Sequence, residues 1–247
     1  MATVAKTIIA TGASSGLGFE AMKQLLQTPQ SYRIIIGARN TERTESAYNT
    51  IAYNHQNSSV VILPLELSDL KQVQIFAHRA VEVLDQGKVD YLLLNAAIHG
   101  TADGPGSHGS QWCEPYIVNH LSQHYLLHLL QDHLVKSQSR IVVVSSGAIH
   151  LVPDDLTTLS TTLKAGADTN MQQIYCTTKF IQLLSAHWWR RQLSGSCEVV
   201  AVSPGLVPDT GLMAKHKHQL PDFSKVPDAI SVPKGKLCVL LPVSIRN

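Results

Sequence analysis

The sequence has no long apolar run, no cysteine framework and no concentration of charge of either sign. Its 247 residues include four cysteines, Cys113, Cys176, Cys197 and Cys238, and none of them stands in a C-x-x-C pair. That usage argues against a disulfide scaffold and makes a reducing compartment the expectation. No apolar stretch approaches the ~20 residues that a membrane-spanning helix needs. Met1-Ala2-Thr3 runs straight into an apolar segment, which leaves no room for a signal peptide. A cytoplasmic location is therefore expected, with peripheral membrane contact left open. Lys+Arg 20 against Asp+Glu 18 gives a net charge of +2. No basic run is interleaved with aromatics, so nucleic acid is not an expected partner. Internal repeats and low-complexity segments are absent too.

What is present is alternation. Val4–Ala10, Tyr32–Gly37, Val60–Leu63, Asp90–Asn95, Ile141–Val144 and Val199–Val202 are short, apolar and rich in β-branched residues, as buried strands are. Helical segments fall between them: Phe19–Leu26, a weak one over Thr41–His55, a third that Ser68 would cap, a long one over Glu114–Val135 and another over about 172–193. Leu70, Val73, Ala77, Val81 and Leu84 form the apolar stripe of the third. Strands alternating with helices predict an α/β fold, a single doubly wound parallel sheet with helices on both faces. Residues 99–111 read as a loop. The expected division is one domain over residues 1–215 and an atypical tail over residues 216–247.

Between the first strand and the first helix stands Thr11-Gly12-Ala13-Ser14-Ser15-Gly16-Leu17-Gly18. A strand, a glycine-rich turn and a helix start make a phosphate cradle. Glycine lets the backbone turn sharply and approach a ligand, and the helix N-terminus offers free N–H groups and partial positive charge. The spacing is T-G-x-x-x-G-x-G rather than the commoner G-x-G-x-x-G. Ligands of such sheets sit beyond the carboxyl ends of the strands. At the end of the second strand, Gly37-Ala38 leads to Arg39 where a reader of NAD usually places an acid. An arginine suits the 2′-phosphate of NADP. Further on, Tyr175-Cys176-Thr177-Thr178-Lys179 puts a phenol and an ammonium one helical turn apart on one face. A nearby ammonium favours phenolate and lowers the tyrosine pKa. His120, His124 and His128 recur at four-residue steps. They lack the further ligands of a metal site and read as a polar or oligomer-facing stripe, so no metal is expected.

These motifs, in this order, resemble the short-chain dehydrogenase/reductase family, over about residues 4–213. The wording Gly37-Ala38-Arg39-Asn40, Leu65-Glu66-Leu67-Ser68, Val118-Asn119-His120-Leu121 and Tyr175-Cys176 is most similar to the retinol-dehydrogenase and protochlorophyllide-reductase branch. The resemblance implies a Rossmann-type fold and NADP(H) bound by Gly12, Ser14, Ser15, Gly16, Leu17, Gly18 and Arg39. It adds Glu66 and Leu67 at the adenine, Asn95 and Ala96 after the fourth strand, and Pro204, Gly205 and Thr210 closing over the nicotinamide. Glu66 stands where the family has Asp, and Ala97 where it has Gly. Implied catalytic residues are Asn119, which bends its helix and anchors a relay water, Ser146, which orients the carbonyl oxygen, Tyr175, which donates the proton, and Lys179, which binds the nicotinamide ribose and lowers the Tyr175 pKa.

The resemblance thus implies an NADP(H)-dependent oxidoreductase interconverting a carbonyl and an alcohol on a lipophilic small molecule. Two alternatives stay open: a C=C reductase of the same family, and a non-catalytic NADP-binding sensor or scaffold. The interval from Ser146 to Tyr175 is longer than in compact members. Leu151, Val152, Leu156, Leu159, Leu163 and Met171 within it either line a lipophilic pocket or belong to a surface loop. The tail departs from the family. Pro221, Pro227, Pro233 and Pro242 interrupt the place of its last long helix, and proline in a helix interior costs ~3 kcal/mol. A short helix around Leu212–His218 and an edge strand at Leu237–Leu241 are expected. Amides of residues 219–235 are expected to exchange fast, and those of 199–202 slowly.

Overall fold

A computed structural model describes residues 5–208, 210–212 and 229–235. Six strands form one parallel sheet: β1 (Lys6–Thr11), β2 (Tyr32–Ala38), β3 (Ser59–Pro64), β4 (Tyr91–Leu94), β5 (Arg140–Val144) and β6 (Glu198–Val202), in the order β3-β2-β1-β4-β5-β6. Every pairing is parallel, with Ile8 opposite both Ile34 and Tyr91. The chain leaves β1 in one direction to build β2 and β3, then returns to β1's other side for β4. That reversal opens a crevice beyond the carboxyl ends of β1 and β4.

The period-2 alternation of each strand sorts the core into two layers. Ile9, Ile35, Leu92, Leu94, Ile141 and Val143 face α3 (Leu70–Leu84), α5 (Ser122–Ser137) and α7 (Met171–Gln192), which the one-turn α6 (Leu159–Thr162) precedes. Ile8, Ala10, Ile34, Ile36, Leu93 and Val142 face α1 (Gly16–Leu26) and Tyr48 of α2 (Thr41–Asn49). With both faces covered, the strands need apolar side chains all along, which is why they read as continuous apolar runs.

Three expectations change. The weak helix ends at Asn49 rather than His55. The cap of α3 is Asp69, whose carboxylate accepts from Lys71 N at 2.8 Å. Ser68 instead donates its N–H and its hydroxyl to Glu66 Oε1, both at 2.9 Å, and closes the turn after β3. The long helix from Glu114 is not uniform. It runs as α4 (Glu114–Tyr116), a π-helical turn (Ile117–Leu121) and α5, and Ser122 Oγ donates back to Ile117 O at 2.6 Å. A π turn adds one residue to the ladder and re-aims what lies on it; here that residue set includes Asn119.

Of the tail, residues 229–235 pack back on the body. Ala229 bridges Leu206, Ile230 N donates to Leu206 O at 2.8 Å, and Lys234 N and Gly235 N each reach Ser231 O at 2.9 Å. Gly235 is buried, and a Cβ there would stand 2.7 Å from Val207 Cγ2 and 3.0 Å from Leu17 Cδ2. The fast exchange expected across 219–235 is thereby corrected for its last residues, because Ile230 and Gly235 have backbone acceptors. We expect their amides to exchange about tenfold or more slowly than a free peptide, the protection that ~1.4 kcal/mol of local opening gives. Hydrogen-exchange mass spectrometry reads this, and unprotected peptides over 229–235 would refute the packing. Residues 219–228, most of the short helix expected at 212–218, and the strand expected at 237–241 lie outside the described residues.

Candidate active site

Thr11 closes β1 and ties the sheet to the cradle. Its hydroxyl oxygen accepts from Asn95 N at 3.2 Å and Ala96 N at 3.3 Å, and lies 3.2 Å from Gln123 Oε1. Asn95 Nδ2 donates to Gly12 O at 2.7 Å. Asn95 therefore braces the glycine turn as well as lining the crevice.

The glycines are required first by the protein's own packing. Gly12 has φ +64°, and a Cβ there would lie 2.5 Å from Ala96 Cα. A Cβ on Gly18 would lie 2.4 Å from Gly12 O and 2.7 Å from Asn95 Nδ2. The close approach expected toward a ligand is thus, at these two positions, an approach to the residues after β4. α1 starts after Ser15, whose side chain makes no capping bond. Its first N–H groups consequently have no side-chain acceptor and stand on the crevice wall with Gly16 and Leu17. Tyr48 steadies the turn, donating from its buried hydroxyl to Ala13 O at 2.8 Å.

The crevice encloses about 560 Å³. Its wall carries this cradle, Arg39 and Glu66 beyond the ends of β1, β2 and β3, and Tyr175 and Lys179 beside the end of β5. Leu67, Ala96, Pro204 and Thr210 line it as well. Gly205 does not; it turns the backbone with φ +78° behind that wall. Glu66 faces the crevice with one carboxylate oxygen held by Ser68.

Tyr175 and Lys179 come from α7, which Asn170 starts by accepting from Gln173 N at 2.9 Å. Ser146 follows β5. Its hydroxyl accepts from Ala148 N at 3.2 Å. Burial raises the Tyr175 pKa to about 12, and the nearby Ser146 hydroxyl opposes that rise. Lys179 is only 2 % exposed, and burial lowers its pKa to about 7. Its ammonium donates to Val144 O at 2.8 Å and Gln182 Oε1 at 3.0 Å, and lies 6.0 Å from the Tyr175 ring centroid. The expected lowering of the tyrosine pKa by lysine is therefore not met: burial outweighs the ammonium, which faces neutral oxygens.

Asn119, fully buried, commits its side chain to the loop after β4. Its Oδ1 accepts from Ile98 N at 2.8 Å, and its Nδ2 donates to Ile98 O at 3.0 Å and Thr178 Oγ1 at 3.0 Å. Its backbone carbonyl accepts from Gln123 Nε2 at 3.0 Å. Asn119 thus joins three elements around the crevice, the structural half of the role expected for it.

Four site residues were not foreseen. His99 lies on the crevice wall, stacked on Tyr175. Gln182 holds Lys179, and Gln123 laces the last residue of β1 to Ala96 after β4. Ser145 faces the crevice with a buried hydroxyl that has no hydrogen-bond partner among the described residues. Gln123 and Gln182 had a faint signal, lying four and three residues beyond Asn119 and Lys179 on the same helical faces. His99, inside a Gly-rich loop, had none. The segment after Ser146 has two readings, a lipophilic pocket or a surface loop, and the crevice wall does not include its leucines. Leu163 is buried against Cys113 and Ile174, and Leu151 and Leu156 point outward, 61 % and 52 % exposed. The antiparallel bridge of Trp112 with Lys164 turns that segment onto the protein.

The histidine stripe sits apart, in a groove between α5 and α7. His124 Nδ1 lies 3.0 Å from Trp189 Nε1, and an indole N–H only donates, so His124 accepts there and carries its proton on Nε2. Burial and the neighbouring His124 hold His120 down to about 4. Among the described residues no group of His, Cys, Asp and Glu could hold a metal, and no helix is long and apolar enough to cross a membrane.

The residues present fit a dinucleotide: a helix start whose N-cap side chain makes no capping bond, an arginine just after β2, and a buried Ser145 hydroxyl with no hydrogen-bond partner among the described residues. Comparison with known proteins agrees with the fold. The short chain dehydrogenase family model matches residues 6–169. A short-chain dehydrogenase/reductase of Pestalotiopsis microspora is 52 % identical over 240 residues, covering 97 % of this chain and 82 % of its own. Human retinol dehydrogenase 11 is 33 % identical over 205 residues, covering 82 % of this chain; the chain spans 61 % of that protein. Among solved structures, an alcohol dehydrogenase of Thermococcus sibiricus complexed with 5-hydroxy-NADP superposes with TM-score 0.70 at 19 % identity, over 98 % of this chain and 91 % of that one. A short-chain dehydrogenase of Sphingobium yanoikuyae in complex with NADPH gives 0.68 at 19 %, over 96 % and 84 %. With the sheet order, the cradle and the Ser146–Tyr175–Lys179 group, these likenesses place the chain in the short-chain dehydrogenase/reductase family.

Proposed function

We propose that the protein is an NADP(H)-dependent oxidoreductase that interconverts a carbonyl and an alcohol on a lipophilic small molecule. The observation that carries this is that Tyr175 and Lys179, one helical turn apart and with Ser146 nearby, line the same crevice as the glycine turn and Arg39. Gly12, Gly16 and the first turn of α1 would hold the pyrophosphate, and Arg39 the 2′-phosphate. When bound, the nicotinamide supplies the hydride. Tyr175 gives its phenolic proton to the carbonyl oxygen, and Ser146 orients that oxygen by a hydrogen bond. Lys179, its ammonium 6.0 Å from the centroid of the phenol ring, contributes charge when protonated. The retinol dehydrogenases among the relatives support a lipophilic substrate.

The test is the loss of reduced-nicotinamide absorbance with a panel of aldehydes, ketones and enones. Turnover of simple carbonyls supports the proposal. Turnover of enones alone would make the protein a C=C reductase. NADPH binding without any turnover would make it a sensor or scaffold. The proposal also carries a homo-oligomer through the groove between α5 and α7, where Leu184 and Trp188 stand 49 % and 41 % exposed beside His124. A monomeric mass by light scattering would remove that part.

A further inference from the structure

The imidazole of His99 lies flat on the phenol of Tyr175, with ring centroids 4.0 Å apart and planes 16° from parallel. Neither ring is placed by its own backbone alone. Tyr175 rises from a helix on bonds that allow several rotamers, and His99 sits in a loop. Both backbones are nevertheless tied to each other. Thr178 Oγ1 donates to Tyr175 O at 2.8 Å and accepts from Asn119 Nδ2 at 3.0 Å. Asn119 grips Ile98, the neighbour of His99, through both its N–H and its carbonyl. The next residue, Gly100, is seated on Pro115, where a Cβ would come within 3.0 Å of the proline ring. The contacts therefore close a circuit: Tyr175 backbone, Thr178, Asn119, Ile98, His99 and back to the Tyr175 ring.

We propose that His99 is a positioning residue for Tyr175: its ring covers one face of the phenol and keeps the hydroxyl beside Ser146. With that face occupied, the phenol cannot swing into the crevice without displacing the imidazole. A substrate oxygen then meets the hydroxyl from the uncovered side. The circuit gives the stack its rigidity, because the loop bearing His99 is registered to the same turn of α7 that bears Tyr175. The flat ring, rather than a ring nitrogen, does the holding, so phenylalanine should serve in its place and alanine should not.

The effect on rate rests on the oxidoreductase function proposed above; the effect on the ring does not. Meta-fluorotyrosine is incorporated throughout, and the Tyr175 fluorine resonance is identified by its loss in Tyr175→Phe. In His99→Ala that resonance should move and change width as the ring loses its neighbour and gains freedom, while His99→Phe keeps its width. In turnover, His99→Ala should lower kcat by about tenfold to 10²-fold, the cost of misplacing a reacting group by about an ångström, with the NADPH dissociation constant unchanged. His99→Phe should restore kcat to near the wild-type value. An unmoved Tyr175 resonance in His99→Ala overturns the proposal, as does a moved resonance with undiminished kcat. Loss of kcat in His99→Phe equal to that in His99→Ala overturns it also, by assigning the effect to a ring nitrogen. If wild-type protein turns over no carbonyl, the function falls separately, and the resonance comparison decides the positioning.

Discussion

Tyr175→Phe is expected to lower kcat for carbonyl reduction by about 10²–10⁴-fold while leaving NADPH affinity within about twofold. The substitution removes the hydroxyl that gives the proton and keeps the ring, so the stack with His99 and the packing of α7 persist. With its pKa raised to about 12 by burial, the phenol holds its proton at any working pH, so the donor is present, though as a weak acid that needs help from the charge beside it. The charge beside it behaves otherwise. Lys179, held down to about 7 from an ordinary 10.5 by burial, is charged below that pH and neutral above it. An ammonium near the phenol stabilises the anion that proton donation leaves behind. Reduction should therefore lose kcat/KM as pH rises through about 7, since that parameter reports the free enzyme. Lys179→Met should be slow throughout and lack that limb. A Tyr175→Phe variant keeping more than about a tenth of the activity would remove Tyr175 as the acid. A wild-type profile flat across about one unit either side of 7 would remove Lys179 from the step.

The fold was legible because its signal is carried by backbone-level patterning. Six apolar runs separated by helical stripes specify a parallel sheet covered on both faces, and the strand ends differ from expectation by a residue or two. The cradle and the Tyr175–Lys179 pair were legible because each is local: a turn between adjacent elements, and two positions one helical turn apart. What was not legible is what depends on distant contacts. Whether Lys179 or burial governs the Tyr175 pKa depends on Val144 and Gln182, which take the ammonium. The glycines look alike in sequence whether they clear room for a ligand or for Ala96. The leucines of the 147–174 segment have pocket-like composition, yet the bridge between Trp112 and Lys164 turns Leu163 inward and leaves Leu156 outside. Asn119 shows the middle case. Its position in the motif and a bend of the helix there were visible, but its grip on Ile98, twenty-one residues earlier, was not.

Arg39→Ala is expected to weaken NADPH binding by about ten- to hundredfold and leave NADH unchanged. Arg39 stands between the end of β2 and Asn40, which caps α2 by accepting from Arg43 N at 2.8 Å. Its position is thus fixed by two elements while its guanidinium is exposed on the crevice wall. Among the described residues it has no ion-pair partner. No acid occupies its position, so nothing there would grip the two ribose hydroxyls of NAD, and a 2′-phosphate would find a planar fork of donors instead. A charge-assisted hydrogen bond contributes about 1.5–3 kcal/mol, which is the stated factor in affinity. Because the group is exposed, the gain should shrink with salt, and the preference for NADPH over NADH should narrow as ionic strength rises. Titrating both reduced cofactors into the wild type and Arg39→Ala by tryptophan fluorescence measures all of this. Equal weakening of the two cofactors would make Arg39 a structural residue of the β2–α2 turn. An unchanged NADPH affinity would leave the 2′-phosphate without its proposed partner.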